Sequence, residues 1–352
     1  MHPLRIAVAG AGLIGRAHID VIRASAHARL AAIVDPAPQA ATLAARAGVP
    51  VFASLQALLA DADKPDGVIL ATPSPLHLEH ALACIDAGIP VLVEKPVAAT
   101  VAEGEQLLRS AERAGARVLV GHHRAHSPIM AKAREVVDSG VLGRLVAVSG
   151  SATFFKPDHY FADAPWRRES GGGGPILINM IHEVHNLRML CGEIVAVQAL
   201  ASHAVRGFAV EDTVSINLRF ASGVLGSFLL SDTAASARSW EQTSQENQAY
   251  PSYADEDCYV VSGTNGSLAV PSMRIKTYAR PEDRSWWKPF ETGVVAMVRD
   301  DPLRLQFAHF CAVIRGDARP LVSARDGLAN LRVTEAIAAA AASGDTVSLT
   351  PT

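Results

Sequence analysis

The first 124 residues alternate between short apolar runs and amphipathic helical patterns. Val91–Val93 and Val118–Val120 are wholly apolar, whereas Pro38–Ala47 and Val101–Ala114 repeat apolar side chains at helical spacing. Short, continuously apolar strands are typical of a sheet that helices cover on both faces. The alternation therefore predicts an α/β fold in which strand–helix units form a doubly wound parallel sheet.

From Val146 onwards the pattern changes to longer segments of alternating polarity. Thr213–Phe220, Val224–Ser231 and Cys258–Ser262 are predicted strands, separated by glycine-containing turns. A period of two favours a mostly antiparallel sheet with one buried face. The polar stretch Asp232–Asp257 has no clear period, so we expect a long loop there.

This change of pattern predicts two domains. A chain of 352 residues exceeds the roughly 250 to 300 residues at which a single core stops growing. We expect the first domain at residues 1–124 and the second at 125–352. The alanine-rich stretch Gly327–Ala342 predicts a helix near the end of the second part, followed by a short strand at Val347–Leu349.

Composition narrows the classes of partner. A net charge of -3 provides no basic excess to neutralise many phosphates, so we expect no nucleic-acid partner. No apolar run reaches the roughly 18 residues of a spanning helix, and we expect a cytoplasmic protein without a membrane partner. Four cysteines form no metal-binding spacing, which favours buried reduced thiols; they are Cys84, Cys191, Cys258 and Cys311.

A glycine motif joins the first predicted strand to the first predicted helix. Gly10, Gly12 and Gly15 form GxGxxG, with Leu13 and Ile14 between the last two glycines. The first glycine permits the tight turn, the second lets the backbone approach a pyrophosphate, and the third allows close helix packing. The positive end of the helix favours the phosphate charge. These positions predict a dinucleotide site.

Asp35 ends the second predicted strand, 20 residues after Gly15. Its carboxylate can accept hydrogen bonds from the ribose hydroxyls and repels a 2′-phosphate. No Lys or Arg follows Asp35 directly to receive that phosphate. NAD is therefore favoured over NADP as the cofactor.

Three other segments follow parallel strands at the edge where ligands of such sheets bind. They contain Thr72, Pro73 and His77 after the third strand, Glu94 and Lys95 before Pro96 after the fourth, and His122 to Arg124 after the fifth. We expect the first five of these residues, Thr72 to Lys95, to bind the cofactor. Lys95 can be held by its neighbours with its amino group toward the cleft. A purely structural pair between Glu94 and Lys95 is the alternative.

A glycine run leading into Pro175 predicts the start of a helix that Gly192 ends. At helical spacing, Asn179, His182 and Asn186 share one face of this helix. His182 can exchange a proton near neutral pH. A structural histidine inside the helix interface remains the alternative.

The spacing of His182 and His185 also occurs in metal sites, but no third ligand stands out in the sequence. We therefore expect no metal.

Together these motifs resemble the Gfo/Idh/MocA oxidoreductase family. The resemblance rests on Gly10–Gly15, Thr72–His77, Glu94–Pro96 and Gly171–Arg188, and it runs through almost the whole chain. Glu-Lys-Pro is its most specific motif. Similar segments are Trp166-Arg167, Glu211-Asp212-Thr213, Gly263-Thr264 with Gly266, and Asp326-Gly327.

The resemblance implies a Rossmann domain followed by an α+β domain built on a large, mostly antiparallel sheet. The C-terminal helix, at about residues 325–343, is expected to pack back on the first domain. The resemblance also implies a homodimer or homotetramer formed through that sheet.

In function, the resemblance implies oxidation of a hydroxyl group of a sugar, inositol or related polyol. Lys95 matches the family lysine that contacts the reacting hydroxyl, and His182 the family acid/base histidine. Ile178 replaces the aspartate that the family often carries four residues before this histidine, and His185 replaces an acidic residue three after it. Lys95 is then expected to carry more of the proton transfer, with Asn179 or Glu183 orienting His182.

The sequence therefore predicts an NAD-dependent dehydrogenase in which Lys95 and His182 exchange the proton of the substrate hydroxyl. The expected substrate-binding residues are Arg124, Lys156, Trp166, Arg167, Asn179 and His182. Three other activities stay open: oxidation of a cyclic dihydrodiol, an NAD-dependent glycosidase with no net redox change, and an NAD sensor without catalysis.

Overall fold

The structure is a computed structural model that describes residues 2–350. Its contacts divide the chain into two compact units. The first unit runs to His126 and adds Pro302–Leu331, and the second contains Ser127–Asp301 and the residues from Arg332 onwards. The domain border between residues 124 and 125 stays a prediction.

The strands of the first unit form a six-stranded sheet in the order β3-β2-β1-β4-β5-β6. Every neighbouring pair is parallel, which confirms the predicted doubly wound sheet. The strand order reverses between β1 and β4, where such sheets bind their ligands. The strands are β1 (Leu4–Ala9), β2 (Ala28–Val34), β3 (Val51–Phe52), β4 (Gly67–Leu70), β5 (Val91–Glu94) and β6 (Val118–Gly121).

The strands of the second unit form one large sheet in the order β15-β14-β13-β12-β7-β10-β9-β8-β16, with β11 paired to the end of β7. Only β7 and β10 pair in parallel among these described strands, which confirms the mostly antiparallel sheet. The strands are β7 (Leu145–Phe155), β8 (Ile194–Ser202), β9 (Thr213–Phe220), β10 (Leu225–Ser231), β11 (Thr233–Arg238), β12 (Tyr259–Gly263), β13 (Gly266–Val270), β14 (Arg274–Thr277), β15 (Glu291–Val294) and β16 (Val347–Ser348).

Eleven α-helices are described between residues 2 and 350. Within that range, no helix combines the length and apolar character needed to cross a bilayer. The helices are α1 (Leu13–Ala24), α2 (Pro38–Ala47), α3 (Leu55–Ala60), α4 (His77–Asp86), α5 (Val101–Ala114), α6 (Pro128–Asp138), α7 (Asp158–Ala162), α8 (Ile181–Cys191), α9 (Trp240–Thr243), α10 (Pro302–Arg315) and α11 (Ala324–Ser343).

The expectation of a featureless loop at Asp232–Asp257 was wrong, because β11 and α9 lie inside it. Ser239 caps α9 by accepting a hydrogen bond from the Gln242 backbone N–H, and Trp240 is buried beneath it. Both elements are too short to establish a periodic pattern.

Helix α10 completes the core of the first unit from a distant part of the chain. Phe307, Phe310 and Cys311 are buried in one apolar cluster with Ile6 of β1 and Ile33 of β2. Helix α11 is divided between the units after Leu331. In its first turns, a Cβ atom on Gly327 would lie 2.9 Å from the Val120 side chain of β6, so the helix backbone lies close to this sheet.

Because Phe310 is fully buried, Phe310→Ala should lower the free energy of unfolding by about 3 to 5 kcal/mol. Urea unfolding followed by circular dichroism measures this loss. Trp287→Ala is the control, since the Trp287 side chain is 84% exposed. Equal effects of the two changes would contradict the place of α10 in the core.

Candidate active site

The glycine turn after β1 is fixed by the lack of room for side chains. Gly10 has a φ of 92°, and a Cβ there would lie 2.4 Å from the Ala71 carbonyl oxygen. At Gly15 a Cβ would lie 1.9 Å from the Gly10 carbonyl oxygen. Any side chain at either position would displace the backbone. The turn can therefore pack against the start of α1 and the end of β4 only because both positions are glycine.

Gly12 differs because a Cβ there would meet no atom within 4 Å. It is the N-cap of α1, where no side chain caps the helix and no acidic residue occupies the first turn. The first N–H groups of a helix have no acceptor within it, and their dipoles favour an anion. The open space and these donors fit a pyrophosphate.

Asp35 lies next to this turn, directly after β2. One carboxylate oxygen accepts the Ala11 N–H at 2.7 Å, and the other accepts the Ala37 N–H at 2.8 Å. Each oxygen keeps a further lone pair for a ligand hydroxyl. The side chain is thus held in place beside the glycine turn, as a ribose-binding carboxylate requires.

Two further predicted segments are joined by a buried histidine. The Nδ1 atom of His77 lies 2.7 Å from the Pro96 carbonyl oxygen, and its Nε2 atom lies 2.8 Å from that of Thr72. Burial lowers the pKa of His77, although both backbone contacts act to raise it. The ring of His77 therefore contacts the ends of both β4 and β5, and its neutral form donates a hydrogen bond to one of the two carbonyl oxygens.

The carboxylate of Glu94 is buried at the end of β5. It lies 2.8 Å from Nε2 of His18 in α1, and its other oxygen accepts the Lys95 backbone N–H at 3.2 Å. Lys95 itself is partly exposed. The Lys95 backbone N–H is therefore one contact between these two neighbouring residues.

Past β6 the chain turns in a short 3₁₀ segment, His123–His126, in which Arg124 is buried. His122, just before it, contacts the Asn330 amide of α11 at 3.1 Å. Arg124 as a substrate-binding residue stays a prediction.

In the second unit, the helix predicted to start at Pro175 and end at Gly192 contains a π-helical segment that the sequence did not predict. Ile176–Met180 forms a π-helical segment, and the α-helix α8 begins only at Ile181. Because π-helical hydrogen bonds run from i to i+5, the spacing that placed Asn179 in line with His182 and Asn186 does not hold. Segments of this kind often occur at functional sites.

Asn179 is held by a buried lysine. Its side-chain oxygen accepts a hydrogen bond from Nζ of Lys156 at 2.7 Å. This ammonium also lies 3.5 Å from the Asp232 carboxylate and 4.9 Å from the centre of the Tyr160 ring. Lys156 and Asn179, both expected to bind substrate, are thus brought together.

Arg206 shares the same carboxylate. Its Nε donates to Asp232 at 2.9 Å, and its Nη2 donates to the Lys156 backbone oxygen at 2.8 Å. Burying two cations around one carboxylate is tolerated only with such complete hydrogen bonding. The network fixes the end of β7 against the end of β10.

Helix α8 carries His182, which is buried. The neighbouring Glu183 accepts a hydrogen bond from the Tyr259 hydroxyl, and its role in orienting His182 stays a prediction. The Asn186 amide donates to the same hydroxyl at 3.0 Å. These contacts anchor α8 to β12 on the side of the core.

Trp166 and Arg167 lie in a 3₁₀ segment before the glycine run. The Arg167 guanidinium lies 3.8 Å from the centre of the Tyr160 ring, the same ring that Lys156 approaches. Trp166 is about half exposed. Tyr160 thereby links Lys156 and Arg167, two of the residues expected to bind substrate.

Glu211 supports the start of the π-helical segment by accepting the Ile176 N–H at 2.8 Å. A Cβ on Gly174 would lie 2.5 Å from the Glu211 carboxylate, so the glycine makes room for it. Burial raises the pKa of Glu211.

Sequence reasoning missed His18, Tyr160, Arg206 and Asp232. His18 lies among the buried residues of α1 with Ile19 and Ile22. A histidine among these apolar positions was the one signal in the sequence that could have pointed to it. Asp232 was assigned to a loop, and its partners become visible only in the folded chain. Across residues 2–350, no group of three or more His, Cys, Asp or Glu residues is arranged to hold a metal ion.

Comparison with known proteins identifies the family to which this fold belongs. A model described as an oxidoreductase family with an NAD-binding Rossmann fold matches residues 4–122. The model of the GFO/IDH/MocA C-terminal domain matches residues 130–269.

Relatives match over nearly their full length. The chain is 28% identical to a 1,5-anhydro-D-fructose reductase of Ensifer adhaerens and 27% identical to an inositol 2-dehydrogenase of Rhizobium meliloti, covering 95% of both chains in each case. Its fold matches the WlbA dehydrogenase of Bordetella pertussis, solved with NADH and UDP-GlcNAcA, with a TM-score of 0.80, 24% identity and 100% of both chains covered. The chain belongs to the GFO/IDH/MocA oxidoreductase family, whose NAD-binding Rossmann fold it carries in its first unit.

Proposed function

We propose that the protein is an NAD-dependent dehydrogenase that transfers a hydride between the nicotinamide and a hydroxyl-bearing carbon of a sugar, inositol or related polyol. The observation that carries the proposal is the glycine turn with Asp35 beside it, followed by Lys95 at the end of β5. The glycine turn and Asp35 together fit a dinucleotide without a 2′-phosphate. The lysine is a proton acceptor at the edge of the sheet where ligands of such folds react.

The backbone N–H groups at the start of α1 would hold the pyrophosphate, and Asp35 would accept the ribose hydroxyls. Leu13, Ile14, Thr72 and Pro73 would line the same site. Bound NAD supplies the hydride acceptor, whereas the protein supplies alignment and proton transfer. His77 and Glu94 contribute by holding the strand ends through the contacts described above.

Lys95 and His182 are proposed as the catalytic residues. Oxidation of an alcohol removes a hydride from carbon and a proton from oxygen, and one of these two side chains takes the proton. Ile178 provides no carboxylate four residues before His182. We therefore assign the larger share of the proton transfer to Lys95.

Arg124, Lys156, Trp166, Arg167 and Asn179 are proposed to contact the substrate together with His182. Lys156, Arg167 and Asn179 offer hydrogen-bond donors that suit hydroxyl and carboxylate oxygens. The two relatives of 27 to 28% identity are named for 1,5-anhydro-D-fructose and inositol. Their names support a polyol substrate for this chain.

We also propose that the enzyme is a cytoplasmic homodimer or homotetramer. Leu225 and Leu229 of β10 and Val260 of β12 are exposed, and these two strands flank β7 in the large sheet. Val260 and Ser227 both pair with Ser149, so these side chains occupy one face. Exposed apolar side chains on an open sheet face support association through it.

A substrate panel tests the proposed reaction. The purified protein is incubated with NAD or NADP and with sugars, inositols, sugar acids and dihydrodiols, and the absorbance of reduced nicotinamide is followed. A signal with NAD and a sugar, inositol or sugar acid is expected. A signal confined to dihydrodiols would indicate a dihydrodiol dehydrogenase instead. Glycoside cleavage without net NADH would indicate an NAD-dependent glycosidase, and NAD binding without any turnover would indicate an NAD sensor.

Asp35→Ala should weaken NAD binding by about 10-fold or more, because hydrogen bonds to a charged group contribute about 1.5 to 3 kcal/mol. It should also narrow the preference for NAD over NADP, since the repulsion of a 2′-phosphate is removed. Calorimetric titration with both nucleotides measures the two effects. Asp61→Ala, an exposed change in the same unit, is the control, and an unchanged preference in the Asp35 variant would refute the assignment.

Lys95→Ala should abolish measurable turnover while NAD still binds, because the backbone contacts of the glycine turn are untouched. His182→Ala should lower kcat by about 100- to 10,000-fold, the usual contribution of a general acid or base. Lys64→Ala, an exposed lysine of the first unit, should leave kcat unchanged. A near-normal rate in the Lys95 variant would exclude its catalytic role.

A further inference from the structure

The Glu94 carboxylate lies in the core of the first unit, where its side chain is only 7% exposed. A buried carboxylate is strongly destabilising unless hydrogen bonds compensate for its lost hydration. Burial by itself raises the pKa of Glu94, but the hydrogen bond from His18 and nearby positive charges outweigh it and lower that pKa. The group is therefore a charged acceptor at neutral pH.

The two oxygens of this carboxylate have different partners. One faces Nε2 of His18 at 2.8 Å, and the other accepts the backbone N–H of Lys95 at 3.2 Å. The position of the lysine backbone is thus set by the same group that His18 contacts. His18 belongs to α1, whose first turn faces the proposed pyrophosphate.

Gly121 leaves space for the Glu94 carboxylate. It is the partner of Glu94 on the neighbouring strand β6, and a Cβ on Gly121 would lie 2.9 Å from the Glu94 carboxyl carbon. The carboxylate therefore occupies the space that a side chain at position 121 would fill.

His18 is completely buried. Its Nδ1 atom has no hydrogen-bond partner among residues 2–350, so the contact between Nε2 and Glu94 is the hydrogen bond that orients the ring. Its contact with Glu94 is then a directed hydrogen bond to a charged acceptor, which is among the stronger kinds.

The other side of Lys95 is held in a similar way. Pro96 presents its carbonyl oxygen to the buried ring of His77, which also contacts the Thr72 carbonyl oxygen at the end of β4. Lys95 is therefore the residue between two anchored neighbours.

We propose that His18 and Glu94 are a positioning pair, which fixes the backbone of Lys95 to the nucleotide-binding helix and so sets where its amino group acts. The inference rests on the proposed catalytic role of Lys95. Neither His18 nor Glu94 contacts the reacting atoms in this account. Their effect on the rate passes through the placement of the lysine.

The test compares His18→Leu, which removes the donor, with His18→Gln, whose amide can donate to Glu94 without titrating. His18→Leu should lower kcat by about 10- to 100-fold, the usual consequence of a misplaced catalytic group. The KM for NAD should change by no more than about twofold, since binding groups are untouched. His18→Gln should restore most of the loss.

A second readout needs no substrate. Reductive methylation of the purified protein, with and without NAD, gives the reaction rate of Lys95 relative to the exposed Lys64 by peptide mass spectrometry. The relative rate should change in His18→Leu and return toward the wild-type value in His18→Gln. Ile22→Val, on the same buried face of α1, is the control for a general loss of packing and should change neither readout.

The outcomes separate the two proposals. Unchanged kcat and unchanged Lys95 labelling in His18→Leu would overturn the positioning pair, as would an equal loss in Ile22→Val. If Lys95 labelling in His18→Gln were normal but kcat were not restored, this result would also count against the positioning pair. Turnover in Lys95→Ala would instead overturn the proposed function.

Discussion

The close approach of backbone segments around the glycine turn is the constraint on which the rest of the nucleotide site depends. Atoms of Ala71 and Gly10 occupy the volumes that side chains at Gly10 and Gly15 would need. This contact places the start of α1 beside the reversal of strand order between β1 and β4. The donors of α1, the carboxylate of Asp35 and the strand-end segments can then serve one ligand.

Each unit secures its polar residues with a buried ionic group of its own. In the first unit, Glu94 receives hydrogen bonds from His18 and from the Lys95 backbone. In the second, Asp232 lies between Lys156 and Arg206. Such groups contribute little net stability compared with apolar packing, because desolvation offsets most of the attraction. Their value in this protein is geometric, since each fixes a strand end that carries a proposed functional residue.

The sequence predicted the parts of the fold whose signal is local. The boundaries of Pro38–Ala47, Val101–Ala114 and Thr213–Phe220 agree with the structure, because each is a regular pattern ended by glycine or a polar turn. Helix α3 and strands β3 and β11 were missed because they are too short to show a period. The π-helical segment was missed because its start has the composition of an ordinary helix.

The candidate site divides in the same way. The glycines and Asp35 carry their chemistry in their spacing, so the sequence was sufficient to propose them. The role of His18 depends on Glu94, which is 76 residues away in the chain. The role of Asp232 depends on Lys156, which follows β7. No local pattern in the sequence predicts either contact. Glu183 shows the same limit, because its hydrogen bond with Tyr259, 76 residues away, has no local signal in the sequence.

Isotope transfer tests the central claim most directly. A substrate from the panel is prepared with deuterium on the carbinol carbon, and the reduced cofactor is analysed by mass spectrometry and proton NMR. Hydride transfer predicts one deuterium at C4 of the nicotinamide and a slower rate with the labelled substrate. Unlabelled NADH, with the deuterium released to water or retained in the product, would contradict direct transfer between carbon and the nicotinamide.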